Sequence, residues 1–207
     1  MTEEEARAWV RDRYGVSRET MLGRFGEILV AGAEHQNLIA RSTLDTLWSR
    51  HLADSAQLVP LSDGAGEGSW LDVGSGAGLP GLVVALLTAR PVVLVEPRAK
   101  RVVFLREAAE ALGVAARVTV IGSKVEAYRP ARPAAVVSAR AVAELSALML
   151  STVHCTDSST VWLLPKGRSA QSEVDAARAK WQGRFHVEPS ITQPDSGIVV
   201  ATQIGAR

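Results

Sequence analysis

The sequence predicts an α/β fold in which a mostly parallel sheet of seven strands follows an N-terminal helical cap. From residue 69 onwards, short apolar runs alternate with amphipathic stretches, a pattern typical of a parallel sheet with helices on both faces. Two β-rich runs without a helix between them end this region, and they predict an antiparallel hairpin at the sheet edge. The first 60 residues carry helical signals alone.

The N-terminal helices are predicted from capping residues and from apolar side chains that recur near the 3.6-residue period. Thr2 and Glu5 have the spacing of a capping box at the start of the first helix. The predicted helices span residues 3–13, 18–35 and 43–58. Glycine and polar residues over 62–68 then predict a flexible connection. We therefore expect a helical cap over residues 1–66 and a main domain over residues 67–207.

The strands of the main domain are predicted from short runs of buried-type residues, and its helices from the amphipathic stretches between them. The predicted parallel strands are Trp70–Val73, Val92–Val95, Val118–Ile121, Ala134–Val137 and Val161–Leu164. The predicted helices are Leu82–Thr88, Arg98–Leu112, Val142–Thr152 and Ser169–Trp181. The hairpin is predicted from Phe185–Pro189 and Ile198–Ile204. This alternation is that of a Rossmann-like, doubly wound sheet.

The composition is that of an ordinary globular protein, with 47% hydrophobic and 22% charged residues among 207. Cys155 is the only cysteine, which excludes an intramolecular disulfide and a cysteine-based zinc cage. The N-terminus lacks the basic start and apolar run of a signal peptide, and no apolar stretch is long enough to span a bilayer. We expect a soluble, cytoplasmic protein.

The charge is unevenly distributed along the chain. Residues 1–68 contain 7 basic and 11 acidic side chains, whereas residues 69–207 contain 16 and 11. A basic C-terminal part is compatible with a nucleic-acid partner. An ordinary solvated surface would have the same composition, so charge alone does not decide between them.

A glycine-rich loop follows the first predicted strand and precedes a helix, the position of a nucleotide-cofactor loop. Gly76, Gly78 and Gly81 satisfy the spacing of a dinucleotide site, so an NAD-dependent oxidoreductase is one interpretation. Asp72 precedes Gly74 by two residues, where an acid would repel a pyrophosphate but suits the α-ammonium group of S-adenosylmethionine. S-adenosylmethionine is therefore the favoured cofactor.

Residues at the ends of the next three strands are predicted to complete the cofactor site. Glu96 ends the second strand, where its carboxylate can accept hydrogen bonds from ribose hydroxyls of either cofactor. Val125 and Glu126 follow the third strand and could hold the amino edge of adenine. Arg140 follows the fourth strand and could contact a cofactor carboxylate or an RNA phosphate.

Several motifs in one order resemble the RsmG (GidB) family of 16S ribosomal RNA methyltransferases over nearly the whole chain. They are Asn37-Leu38, His51-Leu52-Ala53-Asp54-Ser55, Leu71 to Gly81, Val95-Glu96-Pro97, Lys100-Arg101, Phe104-Leu105, Val125-Glu126, Ser138-Ala139-Arg140-Ala141 and Pro165-Lys166-Gly167. The resemblance implies a class I S-adenosylmethionine-dependent methyltransferase acting on guanine N7 in the decoding-site loop. It also implies cofactor contacts from Gly74, Leu79, Val125-Glu126 and Arg140, besides the predicted Asp72, Gly76 and Glu96.

This reaction requires no general base, because guanine N7 presents an in-plane lone pair without deprotonation. We accordingly predict no catalytic dyad and no metal, with Arg140 as the single candidate for a direct part in catalysis. The candidates for RNA phosphate contacts are Lys100, Arg101, Lys166 and Arg168. The expected partner is 16S rRNA in the small subunit or its precursor. A non-catalytic ribosome-binding module with the same fold is the remaining alternative.

Overall fold

The computed structural model describes residues 1–206, which form a seven-stranded sheet with helices on both faces and a helical N-terminal segment. The helices are α1 (Glu3–Tyr14), α2 (Val16–Ala33), α3 (Ala53–Ala56), α4 (Leu58–Leu61), α5 (Gly81–Leu87), α6 (Ala99–Ala111), α7 (Leu145–Thr152) and α8 (Ala170–Ala177). The strands are β1 (Trp70–Val73), β2 (Val92–Val95), β3 (Val118–Ile121), β4 (Val136–Ser138), β5 (Val161–Lys166), β6 (Trp181–Pro189) and β7 (Gly197–Ala206).

The sheet has the order β3-β2-β1-β4-β5-β7-β6, in which the first five strands are parallel. Strand β7 pairs antiparallel with both β5 and β6. The predicted parallel sheet with a terminal antiparallel hairpin is thereby confirmed. The order reverses between β1 and β4, and this reversal leaves a crevice at the carboxyl ends of these strands, where doubly wound proteins bind their ligands.

The N-terminal helix begins as predicted, with a complete capping box. The backbone N–H of Glu5 donates to the Thr2 hydroxyl at 3.2 Å, and the N–H of Thr2 donates to the Glu5 carboxylate at 2.8 Å. These bonds satisfy two of the donors that a helix N-terminus leaves without intrahelical partners.

The predicted single helix over residues 43–58 is wrong. A 3₁₀ segment, Arg41–Thr46, is followed by a π-helical turn, Trp48–Leu52, and then by α3 and α4. The backbone N–H groups of Trp48 and Ser49 donate to the carboxylate of Glu3 on α1, each at 2.8 Å. Because these two donors are used outside the helix, a regular α-helical ladder cannot run through this segment.

Several other boundaries also differ from the prediction. The fourth strand lies at Val136–Ser138, and the following helix begins at Leu145 because the Glu144 carboxylate caps it by accepting from the Ser146 N–H at 3.0 Å. The last helix ends at Ala177, so its predicted extension to Trp181 is wrong. Trp181 is buried and pairs with Ala206, and it therefore starts β6 instead.

The core lies in two layers, one on each face of the sheet. Side chains of the cap, including Phe25 and Leu29, share one cluster with Leu82 of α5 and Leu105 of α6. The second cluster joins the other sheet face to α7, α8 and the hairpin. The cap therefore packs on the helices beside β1, and its residues Arg50, His51 and Asp54 line the crevice. Within residues 1–206, no helix has the length and hydropathy to cross a bilayer.

Candidate functional site

The loop between β1 and α5 forms the floor of the site. Gly74, Gly76 and Gly78 adopt left-handed backbone conformations, with φ of +67°, +57° and +83°, which side-chain-bearing residues rarely adopt. A Cβ atom at Gly78 would come within 2.5 Å of the Leu82 side chain. At Gly76 it would meet only the Arg101 guanidinium at 3.5 Å and the Gly74 carbonyl oxygen at 3.7 Å, which are ordinary contact distances. The backbone of this loop is therefore open to a ligand at Gly76.

Asp72 lies behind the loop rather than in the crevice. Its carboxylate is fully buried and accepts hydrogen bonds from the Gly81 N–H at 3.1 Å and the Ser138 hydroxyl at 2.7 Å. Trp70 donates in turn to the Ser138 hydroxyl at 2.8 Å. Burial raises the pKa of Asp72 to about 6, against the effect of these hydrogen bonds. The carboxylate thus ties β1 to β4 and to the start of α5, and it lines neither of the cavities at the crevice.

The larger cavity at the crevice has a volume of about 930 Å³ and lies between the helical cap and the carboxyl ends of β1, β4 and β5. Six of the predicted site residues line it: Gly74, Gly76, Leu79, Arg101, Arg140 and Lys166. The cap contributes Leu38, Arg50, His51 and Asp54. Its size is that of a typical small-molecule site.

A smaller cavity of about 420 Å³ adjoins the first one. Its lining includes Glu96, Val125 and Glu126, and it shares Gly74, Arg98 and Arg101 with the larger cavity. Val142 lines both cavities, and a Cβ atom at Gly74 would lie 2.7 Å from its side chain. Two adjoining cavities are therefore lined by the carboxyl ends of β1, β2 and β4 and by the start of the β3–β4 connection.

Glu96 binds the glycine loop through its carboxylate. One oxygen accepts from the Gly76 N–H at 2.9 Å and the other from the Arg98 N–H at 2.9 Å. The Arg101 guanidinium lies 3.9 Å from the first oxygen. Each carboxylate oxygen has two lone pairs, so these bonds leave acceptor capacity for a ligand in the smaller cavity.

Arg140 joins β4 to the cap. Its guanidinium lies 3.3 Å from the Asp54 carboxylate and donates to the Arg50 carbonyl oxygen at 3.1 Å and to His51 Nδ1 at 3.2 Å. Burial, with the nearby positive charges of Arg140 and Arg50, lowers the pKa of His51 to about 4. The imidazole is therefore neutral near pH 7, and its Nε2–H donates to the Thr43 hydroxyl at 2.8 Å.

Asp54 extends this cluster to the connection between β6 and β7. Its second carboxylate oxygen accepts from the Thr192 hydroxyl at 2.8 Å and from the Gln57 amide at 2.9 Å. Sequence reasoning assigned no role to His51 or Asp54. Their spacing of three residues within one helical motif, which places them on the same face, was the signal that could have identified them.

The four cations predicted to contact RNA occupy different environments. Lys166 is largely buried, with its ammonium group 2.8 Å from the Glu173 carboxylate. Arg101 lies between the two cavities beside Glu96, and it also donates to the Asn37 carbonyl oxygen at 3.1 Å. Lys100 and Arg168 are exposed and line neither crevice cavity. The structure therefore brings two of the four into the lining of the site.

Cys155 lies away from the crevice, as expected for a packing residue. It is buried in the second core cluster, and burial raises the pKa of its thiol to about 11. A thiol with a raised pKa is a poor nucleophile at neutral pH. Among residues 1–206, no group of three or more His, Cys, Asp or Glu side chains is arranged to hold a metal ion.

A further cavity, of about 1070 Å³, lies at the opposite ends of the strands. Its lining includes Ser69, Pro91 and Pro133, which precede β1, β2 and β4. None of the predicted site residues lies there. The crevice at the carboxyl ends of the strands remains the candidate site, although the opposite cavity is larger.

Comparisons with known proteins show which family this chain is similar to. The model of the GidB family, described as rRNA small subunit methyltransferase G, matches residues 18–196. A ribosomal RNA small subunit methyltransferase G of Rhizorhabdus wittichii is 48% identical, covering 100% of this chain and 95% of its own length. The protein of the same name from Zymomonas mobilis is 46% identical, covering 99% and 95%. The solved glycopeptide N-methyltransferase MtfA with S-adenosylmethionine has a TM-score of 0.60 at 12% identity, over 73% of this chain and 87% of that one.

Proposed function

This chain belongs to the rRNA small subunit methyltransferase G family, and from that premise we propose that it transfers a methyl group from S-adenosylmethionine to guanine N7 in the decoding-site loop of 16S rRNA. The observation that carries the proposal is the pair of adjoining cavities at the glycine loop. Predicted cofactor residues line both of them, and the larger one also contains five cationic side chains. The protein would meet its small-subunit rRNA in the cytoplasm.

The residues at the crevice fit S-adenosylmethionine. The cofactor would lie over the loop at Gly76, where the backbone is open. The Glu96 carboxylate would accept hydrogen bonds from the ribose hydroxyls. Val125 and Glu126 would hold the adenine in the smaller cavity. The methionine part would then extend past Gly74 into the larger cavity, towards Leu79 and Arg140. Asp72 supports this arrangement indirectly, because its carboxylate fixes the loop and the start of α5.

Positioning is the task of the protein in this reaction. When bound, S-adenosylmethionine supplies an electrophilic methyl group on its sulfonium. The guanine N7 lone pair needs no base, so the chain must hold the base edge in line with that methyl group at about 3 to 3.5 Å. The target base must leave its stack to enter the larger cavity. Arg140, held by Asp54 and His51, is the cation placed to contact the cofactor carboxylate or the RNA there.

Arg101 and Lys166 line the larger cavity and remain in the proposal as cations that shape an anionic site. Lys100 and Arg168 would contact only RNA that extends beyond the cavity, since neither contributes to its lining. Both would raise the affinity for RNA by binding its charged phosphates, and neither would recognise a base.

The proposal is tested by mapping 7-methylguanosine in 16S rRNA by mass spectrometry. Cells lacking the protein should lose one such nucleotide in the decoding-site loop, and the purified protein with S-adenosylmethionine should restore it on their small subunits. Calorimetry should detect S-adenosylmethionine binding and no comparable binding of NAD. An unchanged 7-methylguanosine map would disprove the substrate, and cofactor binding without methyl transfer would favour a non-catalytic ribosome-binding module.

A further inference from the structure

Two arginines that line the larger cavity have no ion-pair partner within residues 1–206. The side chains of Arg50 and Arg98 are exposed, and neither forms a side-chain hydrogen bond in this part of the chain. Arg50 lies in the π-helical turn of the cap, Trp48–Leu52, and Arg98 directly precedes α6. The cavity is therefore lined by one unpaired guanidinium from the cap and one from the core.

The other three cations of this cavity form ion pairs within the protein. Its lining contains five cationic and three acidic side chains, with the neutral His51 beside them. The pairs are Arg140 with Asp54, Lys166 with Glu173, and Arg101 with Glu96 of the adjoining cavity, whereas Glu144 accepts two N–H groups at the start of α7. Arg50 and Arg98 are thus the two cations of the lining that form no ion pair, against one acidic side chain, Glu144, that also forms none, so the lining keeps an excess of positive charge.

Unbalanced positive charge around a concave opening attracts anions more strongly than the same charge on a convex surface, because the low-dielectric walls focus the field. Arginine is well suited to such a role, since its planar guanidinium binds a phosphate through two parallel hydrogen bonds. Paired cations such as Lys166 would have to break an existing ion pair to do the same. The two unpaired arginines can bind a phosphate without that cost.

We infer that Arg50 and Arg98 bind the RNA phosphates on the two sides of the nucleotide whose base enters the larger cavity. This inference rests on the proposed function and adds two residues to it. The cap then takes part directly in RNA binding, because Arg50 belongs to the cap and Arg98 to the methyltransferase core. Phosphate contacts fix the position of a nucleic acid without reading its sequence, so one contact on each side would hold the extruded nucleotide in place.

The test compares two double variants that remove the same charge. Arg50→Gln/Arg98→Gln removes the unpaired cations of the cavity. Arg132→Gln/Arg184→Gln is the matched control, because both of these arginines are exposed, form no ion pair within residues 1–206 and line neither crevice cavity. Methyl transfer is measured on small subunits from cells lacking the protein, over a range of salt concentrations, and S-adenosylmethionine binding is measured by calorimetry.

We expect the KM for small subunits to rise roughly tenfold or more in the Arg50/Arg98 variant, since charged hydrogen bonds to phosphate are lost. The slope of log affinity against log salt should fall by about 1.4, from about 0.7 per phosphate contact. The control variant should keep the wild-type KM and slope. Cofactor affinity should change less than RNA affinity.

Three outcomes would overturn the inference. The KM and salt slope of the Arg50/Arg98 variant could equal those of the wild type, or both double variants could lose the same affinity, which would indicate a nonspecific effect of net charge. A loss confined to S-adenosylmethionine binding would assign Arg98 to the cofactor instead. Failure of the proposed function is distinguished from these results, because the wild-type protein would then methylate no guanine N7 in the subunits.

Discussion

The Arg140 guanidinium lies 3.3 Å from the carboxylate of Asp54, and this ion pair joins the end of β4 to the helical cap. Arg140 also donates to His51 and to the Arg50 carbonyl oxygen, so its side chain has one well-defined orientation at the wall of the larger cavity. Because both charges are largely shielded from solvent, removing one partner should cost more than at an exposed ion pair.

Asp54→Asn should release Arg140 and weaken methyl transfer more than cofactor binding. The amide keeps the shape of the carboxylate but removes the charge that holds the guanidinium, and we expect a loss of about 1 to 3 kcal/mol in unfolding free energy. Denaturant unfolding and methylation of small subunits are the measurements. Asp195→Asn, which removes an exposed partner of Arg168, is the control and should change stability by less than about 0.5 kcal/mol. Equal effects of the two substitutions would contradict this role for Asp54.

His51 should make the protein less stable as the pH falls from about 6.5 to about 4. Its pKa of about 4 in the folded protein lies below the ordinary value, so in this window the unfolded chain binds a proton that the folded protein rejects. Asp72 acts in the opposite direction, because its raised pKa of about 6 favours the folded protein in acid. The stability difference between the wild type and His51→Asn isolates the histidine, and it should shrink by roughly 2 kcal/mol between pH 7.5 and pH 4.5. Parallel pH profiles of the two proteins would show that His51 does not titrate in this way.

Gly74→Ala should impair cofactor binding through a clash with Val142 as well as through the space that it fills. The new Cβ atom would lie 2.7 Å from a Val142 methyl group, and the φ of +67° would strain any side-chain-bearing residue by about 1 to 2 kcal/mol. Adding Val142→Ala removes both clashing methyl groups. The double variant should therefore recover part of the lost S-adenosylmethionine affinity in calorimetry, without recovering the backbone strain. No recovery would show that the contact with Val142 is not what limits binding.

Glu96→Ala should weaken binding of S-adenosylmethionine and S-adenosylhomocysteine alike, by about 1.5 to 3 kcal/mol. Both ligands carry the same ribose. The substitution also removes the acceptor of the Gly76 and Arg98 N–H groups, whose hydrogen bonds to Glu96 position the loop. Glu96→Gln keeps one acceptor oxygen and should lose less. Calorimetry with the two ligands is the measurement, and a loss for one ligand alone would rule out a ribose role.

Lys166 and Glu173 should show a stability coupling that Arg168 and Asp195 lack. Lys166 is largely buried, whereas both members of the second pair are exposed. A double-mutant cycle with Lys166→Met and Glu173→Gln should give a coupling of about 1 to 3 kcal/mol, against about 0 to 0.5 kcal/mol for the exposed pair. A negligible coupling for the first pair would mean that Glu173 does not hold Lys166, which would then be free to bind RNA.

The seven strands, the terminal hairpin and the position of the glycine loop could be predicted from the sequence, because they follow from local apolar runs and from glycine spacing. The continuous helix over residues 43–58 was a wrong prediction for a physical reason. Its apolar periodicity is real, but the Glu3 carboxylate, more than forty residues away in sequence, takes the N–H groups of Trp48 and Ser49. Local patterns carry no information about such a partner.

The same limit applies to the site residues. The position of Glu96 at a strand end was sufficient to predict that it faces the crevice, because parallel strands end at one edge. The pairing of Lys166 with Glu173 and the burial of Asp72 against Ser138 depend on side chains from other elements. A cation that is free to bind RNA and one that is neutralised by a neighbour are indistinguishable in sequence. The sequence therefore could not separate Arg50 and Arg98, which form no ion pair within residues 1–206, from Lys166, which does.

The hydrogen bond from Thr192 to Asp54 has a consequence for the order of folding. These two residues are 138 positions apart in the chain, and the neighbouring bond from Gln57 to Ser190 spans 133 positions. Closing loops of that length carries a large entropic cost, so contacts of this kind form slowly compared with local helices and adjacent strands. We expect nearly the whole chain to have left the ribosome before the Thr192 hydroxyl binds Asp54. That hydrogen bond completes the cavity wall formed by Asp54 and Arg140. A newly synthesised molecule would thus gain the five parallel strands and the glycine loop before it gains a finished binding cavity.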